Sequence, residues 1–164
     1  MGYTQRFELR KGLTETNLKK LSSDMKKIEK YITDNKIVSE NGGSHYDEVV
    51  TLHHGDGNGV GVDYDTNGFW FNGTNENDFS HETFGLKLGL DYEYCKTARK
   101  PYDLAVCLIL MSLRYHIRSA KVKTDGGNDD WSHSFKLWSI IFPKRKGTFN
   151  FKEWELNSKL KDGS

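Results

Sequence analysis

The stretch Pro101–Ile117, PYDLAVCLILMSLRYHI, contains the longest apolar run of the chain, Leu104–Met111. Eight consecutive apolar residues predict a helix that is buried on all sides, because they leave no polar face for solvent. Pro101 suits the first turn of that helix, where the N–H that proline lacks would have no intrahelical partner. The run is far shorter than the roughly 20 residues that a bilayer requires. It therefore predicts the central helix of a folded core and no membrane span.

The segments on either side of this helix predict both strands and helices. Apolar residues that recur at steps of three and four predict an amphipathic helix over residues 15–35, with Thr14 as its N-cap. A third helix begins near Asp129 or Asp130 and ends before Pro143. The pair Asn67-Gly68 predicts the type I′ turn of a hairpin. The predicted strands are Tyr3–Leu9, Glu48–Leu52, Gly59–Tyr64, Phe69–Phe71, His81–Leu88, Tyr92–Cys95 and Lys121–Lys123.

This order of elements predicts an α+β fold, in which an antiparallel sheet carries two to three helices packed mainly on one face. The hydrophobic fraction of 35% is low, but the aromatic fraction of 13% supplies large side chains for a core. A length of 164 residues without repeats or a linker predicts a single domain over residues 1–155. Residues 156–164 are expected to form a frayed tail.

Charge and cysteine content narrow the functional classes. The formal net charge is +1, so the whole chain offers no field that attracts nucleic acid or a membrane surface. Electrostatic recognition must therefore come from a local cluster. The N-terminus lacks the apolar segment of a signal peptide, and we expect a cytoplasmic protein. Cys95 and Cys107 are interpreted as buried free thiols, with a disulfide as the alternative.

A cluster of cations stands directly before the apolar run, in the stretch CKTARKPYD. Lys96, Arg99 and Lys100 surround the expected positive end of the helix, where free N–H groups and the dipole favour an anion such as a phosphate. Thr97 belongs to the same stretch, and Tyr102 is available to stack on a base. The alternative is structural: the cations face water or pair with the carboxylates of Asp91, Glu93 and Asp103.

Two further patterns resemble metal sites. Asp63–Gly68 matches the first six positions of a calcium-binding EF-hand loop, but Thr74 stands where the bidentate carboxylate is required. A hairpin turn is the favoured interpretation. The pair His53-His54 lies beside Asp56 without a diagnostic ligand spacing. The remaining histidines weighed as partners are His45, His81 and His116. We expect no metal and no cofactor.

A cysteine hydrolase can also be drawn from the sequence. Cys95 stands next to Lys96 near a predicted helix N-terminus, and both features lower the pKa of a thiol. His81 or His116 would act as the base. The alternative places Cys95 in the wall of the core.

Several segments together resemble a widespread family of small, mostly phage-encoded proteins of unassigned function. The segments are Met1-Gly2-Tyr3-Thr4, Phe71-Asn72-Gly73, His81-Glu82-Thr83-Phe84, the block Cys95–Asp103, Asp125-Gly126 and Trp131. The block Cys95–Asp103 is the most specific of them. The chain departs from the family at Gln5-Arg6-Phe7, where members often have His-Tyr-Trp, and at Arg114-Tyr115-His116, which keeps one histidine. The resemblance implies a phage or prophage origin and a location in the host cytoplasm.

These observations lead to one principal hypothesis and two alternatives. The principal hypothesis is a non-enzymatic phage accessory protein that sequesters a phosphorylated small molecule, a nucleotide immune signal, to counter host defence. The alternatives are an inhibitor of a host defence protein and a small phosphoesterase or hydrolase built on His81, Glu82 and Cys95. The sequence leaves open whether the chain forms a homo-oligomer. The candidate ligand-binding residues are Asn72, His81, Glu82, Lys96, Thr97, Arg99, Lys100, Tyr102 and Asp103.

Overall fold

The computed structural model of the protein describes residues 3–40, 48–145 and 147–149. Its elements are β1 (Thr4–Glu8), α1 (Glu15–Asp34), β2 (Asp63–Asp65), β3 (Gly68–Phe71), β4 (Phe84–Lys87), β5 (Tyr92–Lys96), α2 (Asp103–His116), β6 (Lys121–Thr124) and α3 (Asn128–Ile141). The predicted α+β class is confirmed. The predicted tail, residues 156–164, and His45 lie outside the described residues.

The strands form two antiparallel sheets of three strands each. The first sheet has the order β5-β1-β6, and the second has the order β2-β3-β4. The prediction of a single sheet is therefore corrected in this respect. In the first sheet, β1 is the central strand, and β5 and β6 pair with its two edges. Two strands that are distant in sequence thus lie on either side of the N-terminal strand.

Helix α2 is the centre of the core, as its apolar run predicts. Its residues from Asp103 to Leu113 are all buried. It packs on the first sheet through β1 and β6, and both α1 and α3 pack against it. Burying a leucine or isoleucine side chain contributes about 1.5–3 kcal/mol, so the buried aliphatic residues of this helix contribute substantially to stability. None of the described helices combines the length and apolarity that crossing a bilayer would need.

Helix α1 begins and packs as predicted. The hydroxyl of Thr14 accepts the N–H of Asn17 at 3.2 Å, which confirms the predicted N-cap. The whole predicted apolar stripe is buried against the core. The stripe comprises Leu18, Leu21, Met25, Ile28 and Ile32.

A carboxylate lies among these apolar side chains, which the periodicity does not predict. Asp24 is 3% exposed, and Arg145 binds both of its oxygens at 2.6 and 3.1 Å. The Nε2 atom of His116 lies 2.9 Å from the same carboxylate. Burial alone would raise the pKa of Asp24, but the hydrogen bonds from His116 and Arg145 outweigh it and hold that pKa below its ordinary value. This cluster joins the turn that follows α3, and the last residue of α2, to α1.

The β2–β3 hairpin differs from its prediction by one residue. Asp65 pairs with Gly68, so the turn residues are Thr66 and Asn67 rather than Asn67 and Gly68. Neither turn residue has a positive φ, so the predicted type I′ turn is wrong. The Asp65 carboxylate stabilises the turn by accepting the N–H of Asn67 at 2.7 Å. Gly68 has a φ of 147°, and a Cβ there would lie 2.0 Å from the carbonyl oxygen of Leu86.

Two other predicted strands are absent or begin later than predicted. The segment Glu48–Leu52 forms no strand; Val49 makes a single bridge to Val38. The strand predicted over His81–Leu88 begins only at Phe84. The first residues of the predicted strand are held in another way: the Asn72 amide bonds the backbone of His81, and the N–H of Glu82 donates to the carbonyl of Lys96 at 3.2 Å.

The outer edge of β5 is capped by carboxylates. The N–H of Tyr94 donates to the carboxylate of Glu93 at 3.1 Å, and the N–H of Lys96 donates to the carboxylate of Glu82 at 2.7 Å. In an antiparallel strand, alternate residues direct their N–H groups away from the paired neighbour. Two of these outward N–H groups are therefore already occupied.

Candidate functional site

The start of α2 does not offer the predicted free N–H groups. The N–H of Asp103 donates to the carbonyl of Lys100 at 2.9 Å, and the next two N–H groups donate to the carbonyls of Pro101 and Tyr102. A helix N-terminus binds an anion through N–H groups that lack other partners. The prediction is therefore wrong in this respect, because the tight turns that lead into the helix occupy these donors.

The cations beside this end are held apart by carboxylates that are distant in sequence. The ammonium of Lys100 donates to the carbonyl of Asp78 at 2.5 Å and lies 3.2 Å from its carboxylate. The guanidinium of Arg99 donates to Asp130 at 3.0 Å and lies 4.2 Å from the centre of the Tyr3 ring. Arg99 and Lys100 thus bind Asp130 and Asp78, two carboxylates that were not among the predicted alternative partners, and both contacts close loops.

Tyr102, the predicted stacking residue, is fully buried. Its hydroxyl donates to the carbonyl of Glu82 at 2.6 Å, and its ring meets the Phe71 ring edge-on at 6.5 Å. Burial raises the pKa of Tyr102 and keeps the hydroxyl a neutral donor. A ring without exposed surface cannot stack on a ligand, so the predicted role is wrong. Tyr102 instead ties α2 to the chain that precedes β4.

Asp103 and Thr97 are also interior residues. The Asp103 carboxyl accepts hydrogen bonds from the Thr97 hydroxyl at 2.6 Å and the Gln5 amide at 3.1 Å. Its second oxygen lies 3.6 Å from the sulfur of Cys107. Burial raises the pKa of Asp103, and the hydrogen bonds from Thr97 and Gln5 offset only part of that effect. Both residues were predicted to contact a ligand, and that role is wrong because they face the core.

Three of the predicted residues meet at the surface, at the end of β5. The Nδ1 atom of His81 lies 2.7 Å from the carbonyl oxygen of Lys96, so Nδ1 is the donor, and Nε2 is the acceptor of that tautomer. The carboxylate of Glu82 accepts the N–H of Lys96. Buried Asn72 holds this arrangement in place, since its side-chain amide bonds the N–H of His81 at 3.0 Å and its carbonyl at 2.8 Å.

Cys95 does not have the environment of a nucleophile. Its side chain is buried, and its thiol donates to the carbonyl of Glu82 at 3.3 Å. Burial raises the pKa of Cys95, which is the opposite of what thiolate chemistry requires. Cys107 is buried as well, and both cysteines are free thiols. This environment argues against Cys95 as the nucleophile of the hydrolase alternative, and the interpretation of two buried free thiols is confirmed.

The reactivity of the two thiols tests directly whether Cys95 and Cys107 are buried. We expect the native protein at neutral pH to react slowly with a thiol reagent at both Cys95 and Cys107, because each thiol is buried and protonated. Both should react at once after unfolding in denaturant. Rapid labelling of Cys95 in the native protein would contradict the assignment.

The two predicted metal patterns have structural roles. Asp63 and Asp65 belong to β2, and Asp65 serves the hairpin turn. His54 lies 3.6 Å from Asp63, and His116 pairs with Asp24. Within residues 3–40, 48–145 and 147–149, the histidine, cysteine and acidic side chains form no group of three that would hold a metal ion.

The outer face of the first sheet carries aromatic and basic side chains side by side. Buried Phe7, Cys95 and Val122 mark the inner face, and side chains alternate along a strand. We define the outer face by Tyr92, Tyr94 and Lys96 on β5, Thr4, Arg6 and Glu8 on β1, and Lys121 and Lys123 on β6. Cations outnumber carboxylates on this face, although the net charge of the chain is only +1.

The strand register arranges this face in rows. The two rows with an aromatic residue are Tyr94–Arg6–Lys123 and Tyr92–Glu8–Lys121. The Cβ atoms of directly opposed residues lie about 4.5–5.5 Å apart in an antiparallel pair. Each tyrosine therefore has a lysine two strands away in its own row. Lys96 follows Tyr94 on the same side of β5.

The cations of the outer face are weakly engaged. Arg6 lies 3.7 Å from Asp125, and their side chains are 37% and 42% exposed. Lys123 lies 3.4 Å from Glu8. An exposed pair such as Arg6–Asp125 contributes roughly 0.2–1 kcal/mol, so an incoming anion can displace it at low cost. The Lys123 side chain is less accessible, since it is 18% exposed. Lys96 and Lys121 are exposed and have no ion-pair partner in the part of the chain that the structure describes.

The two tyrosines of the outer face are half-exposed. Tyr92 is 48% exposed and Tyr94 is 49% exposed, and their ring centres lie 6.4 Å apart. Of the predicted binding residues, this face includes only Lys96; the sequence analysis missed the tyrosines and Arg6. The alternation Tyr92-Glu93-Tyr94-Cys95-Lys96 was the available signal, since residues two apart on a strand share a face.

Comparisons with family models, with curated proteins and with solved structures find no match to the chain. The geometry of the outer face is therefore the basis for the functional proposal.

Proposed function

We propose that the protein binds a nucleotide on the outer face of the first sheet and does not transform it. The observation that carries this proposal is the row Tyr94–Arg6–Lys123, which places a half-exposed aromatic ring directly beside one cation and two strands from a second. Lys96 adds a third cation next to Tyr94 on β5. The proposal keeps the principal hypothesis from the sequence but places the binding site on the first sheet instead of at the start of α2.

The chemistry of a nucleotide fits this arrangement. Its base is a flat aromatic system that can stack on a tyrosine ring, a contact worth roughly 1–3 kcal/mol. Its phosphate is an anion suited to Arg6, whose guanidinium can donate two parallel hydrogen bonds. Since Arg6 lies directly opposite Tyr94, the same ligand can contact both side chains. His81 Nε2, at the adjoining end of β5, adds an acceptor for a ribose hydroxyl or a base amino group.

The biological role follows from the resemblance to phage proteins. In an infected cell, a protein that retains a nucleotide without hydrolysing it lowers the free concentration of that nucleotide. We propose that the ligand is a nucleotide signal of host immunity and that the protein acts in the host cytoplasm by sequestration. Inhibition of a host defence protein is the competing proposal, because exposed tyrosine and arginine also dominate protein interfaces.

The proposal predicts a specific effect of the Tyr94 ring. We expect Tyr94→Ala to weaken binding of a nucleotide about 10-fold, because one stacking contact is lost, while Tyr94→Phe keeps affinity within about 2-fold. Isothermal titration with cyclic dinucleotides, ADP-ribose and adenosine monophosphate provides the measurement.

Ile140→Ala is the matched control, since Ile140 is 56% exposed on α3, away from the outer face. It should leave every affinity unchanged. Absence of heat with all these probes, with the protein shown to be folded, would contradict nucleotide binding. A stoichiometric host protein retained in a pull-down through Tyr94 would then favour the inhibitor.

A further inference from the structure

The outer face repeats one pattern twice, and this repeat defines the class of ligand. The row that begins with Tyr92 and the row that begins with Tyr94 each have a tyrosine on β5 and a lysine on β6. The tyrosines are exposed to the same extent, 48% and 49%. The two rows together offer two ring surfaces and two lysines, which is more than one mononucleotide can use. Resting on the proposed function, we infer that the face binds two consecutive nucleotides joined by a phosphodiester.

The spacing of the rings selects nucleotides whose bases are not stacked on each other. The ring centres of Tyr92 and Tyr94 lie 6.4 Å apart, and the rings are tilted by 57°. Successive bases in a duplex are parallel and about 3.4 Å apart, so they cannot both follow these rings. Bases of a single strand or of a free dinucleotide can be splayed and stacked individually on aromatic side chains. The geometry therefore excludes a duplex as the ligand.

The two rows carry different charges, so the two ends of the dinucleotide are expected to bind in one defined orientation. Arg6 lies opposite Tyr94, whereas Glu8 lies opposite Tyr92. A phosphate is attracted to the first row and repelled by Glu8 in the second. The phosphodiester between the two nucleotides therefore lies nearest Arg6, and Lys96, on the far side of Tyr94, is placed for a phosphate on the other side of that nucleotide. The sugar on Tyr92 lies nearest Glu8, which can accept its hydroxyl hydrogen bond.

A length series tests this inference. The probes are fluorescently labelled oligothymidylates of one, two, four and six nucleotides, together with a linear diadenylate and a cyclic diadenylate. We expect the dinucleotides to bind about 10-fold more tightly than the mononucleotide, because a second stacking contact is gained. A plateau at two nucleotides identifies a free dinucleotide as the ligand, and a continued rise identifies a single strand; both support the inference. Hybridising the longest probe to its complement should abolish its binding.

Variants of the second row separate this inference from the proposed function. Tyr92→Ala should reduce the affinity for a dinucleotide to that for a mononucleotide, while leaving the mononucleotide affinity unchanged. Tyr92→Phe should bind like the native protein, and Ile140→Ala serves as the control. Equal affinities for one and two nucleotides would overturn the inference and leave the proposed function in place. Failure of every probe to bind would overturn both.

Salt dependence gives an independent readout of the cations. Each phosphate that is neutralised on a single strand contributes a slope of about −0.7 to the plot of log affinity against log salt. We expect a slope of about −1.4 for the four-nucleotide probe, corresponding to two engaged phosphates. Lys96→Glu should make this slope shallower, whereas Lys20→Glu, on the exposed side of α1, should not. A slope of zero would contradict phosphate contacts on this face.

Discussion

Replacing Arg145 by methionine is expected to lower the free energy of unfolding by about 3 kcal/mol. The side chain of Asp24 is 4% exposed, and Arg145 occupies both of its carboxylate oxygens. Removing the guanidinium leaves a buried carboxylate with His116 as its remaining partner, which is the costly way to break such a pair. Unfolding by urea, followed by circular dichroism, measures the change.

The effect of this substitution depends on pH with a defined sign. The pKa of Asp24 is lowered in the folded protein, so its pairing stabilises the fold above the ordinary carboxyl value of 3.8 and is lost as pH falls through the folded value. The native protein and Arg145→Met should therefore converge in stability under acidic conditions. Lys144→Met is the control, because Lys144 is exposed in the same turn. If Arg145→Met lost no more stability than Lys144→Met, the assigned role of Arg145 as the partner of buried Asp24 would be contradicted.

Replacing Asp103 by asparagine is expected to stabilise the protein at neutral and alkaline pH. Asparagine can accept the hydrogen bonds of Thr97 and Gln5 through its oxygen and donate to the sulfur of Cys107. It thus reproduces the protonated acid, which is the form that burial favours. Because the pKa of Asp103 is raised on folding, the native protein loses stability as pH rises above 3.8, until the folded value is passed.

The pH dependence of this difference is the decisive measurement. Between pH 3.8 and the folded pKa of Asp103, the folded state binds one proton more than the unfolded state. The free energy of unfolding of the native protein then falls by about 1.4 kcal/mol per pH unit. Urea unfolding between about pH 5 and pH 8 should show the advantage of Asp103→Asn growing with pH. Asp91→Asn, at an exposed carboxylate, should show no such growth. A pH-independent difference would mean that Asp103 is charged in the folded protein.

The helices were predictable because their signals are local. The apolar stripe of α1 and the apolar run of α2 each place the helix within two residues of its observed bounds. Strands depend on a partner, and their predictions were less accurate. The strand predicted from His81 begins three residues later because the Asn72 amide occupies the backbone of His81. That contact joins residues nine positions apart, and no periodic pattern indicates it.

The location of the candidate site was predicted wrongly for a related reason. Lys96, Arg99 and Lys100 are neighbours in sequence, which suggested one shared anion. The chain turns through Ala98 and Arg99, both with positive φ, so the side chains separate toward different partners. The partners Asp78 and Asp130 lie 22 and 31 residues away. Likewise, the cations beside Tyr94 come from β1 and β6, and only the register of the folded sheet brings them there.

The capped edge of β5 restricts how this protein can associate with itself. An edge strand presents unpaired N–H and C=O groups that can pair with a strand of another molecule and lead to aggregation. A strand arriving at β5 would have to displace the carboxylates of Glu93 and Glu82 from the N–H groups of Tyr94 and Lys96. The displaced charges would be left at the new junction, where they oppose polymerisation. The same two glutamates thus allow the tyrosines to remain open to solvent without making the sheet a template for aggregation.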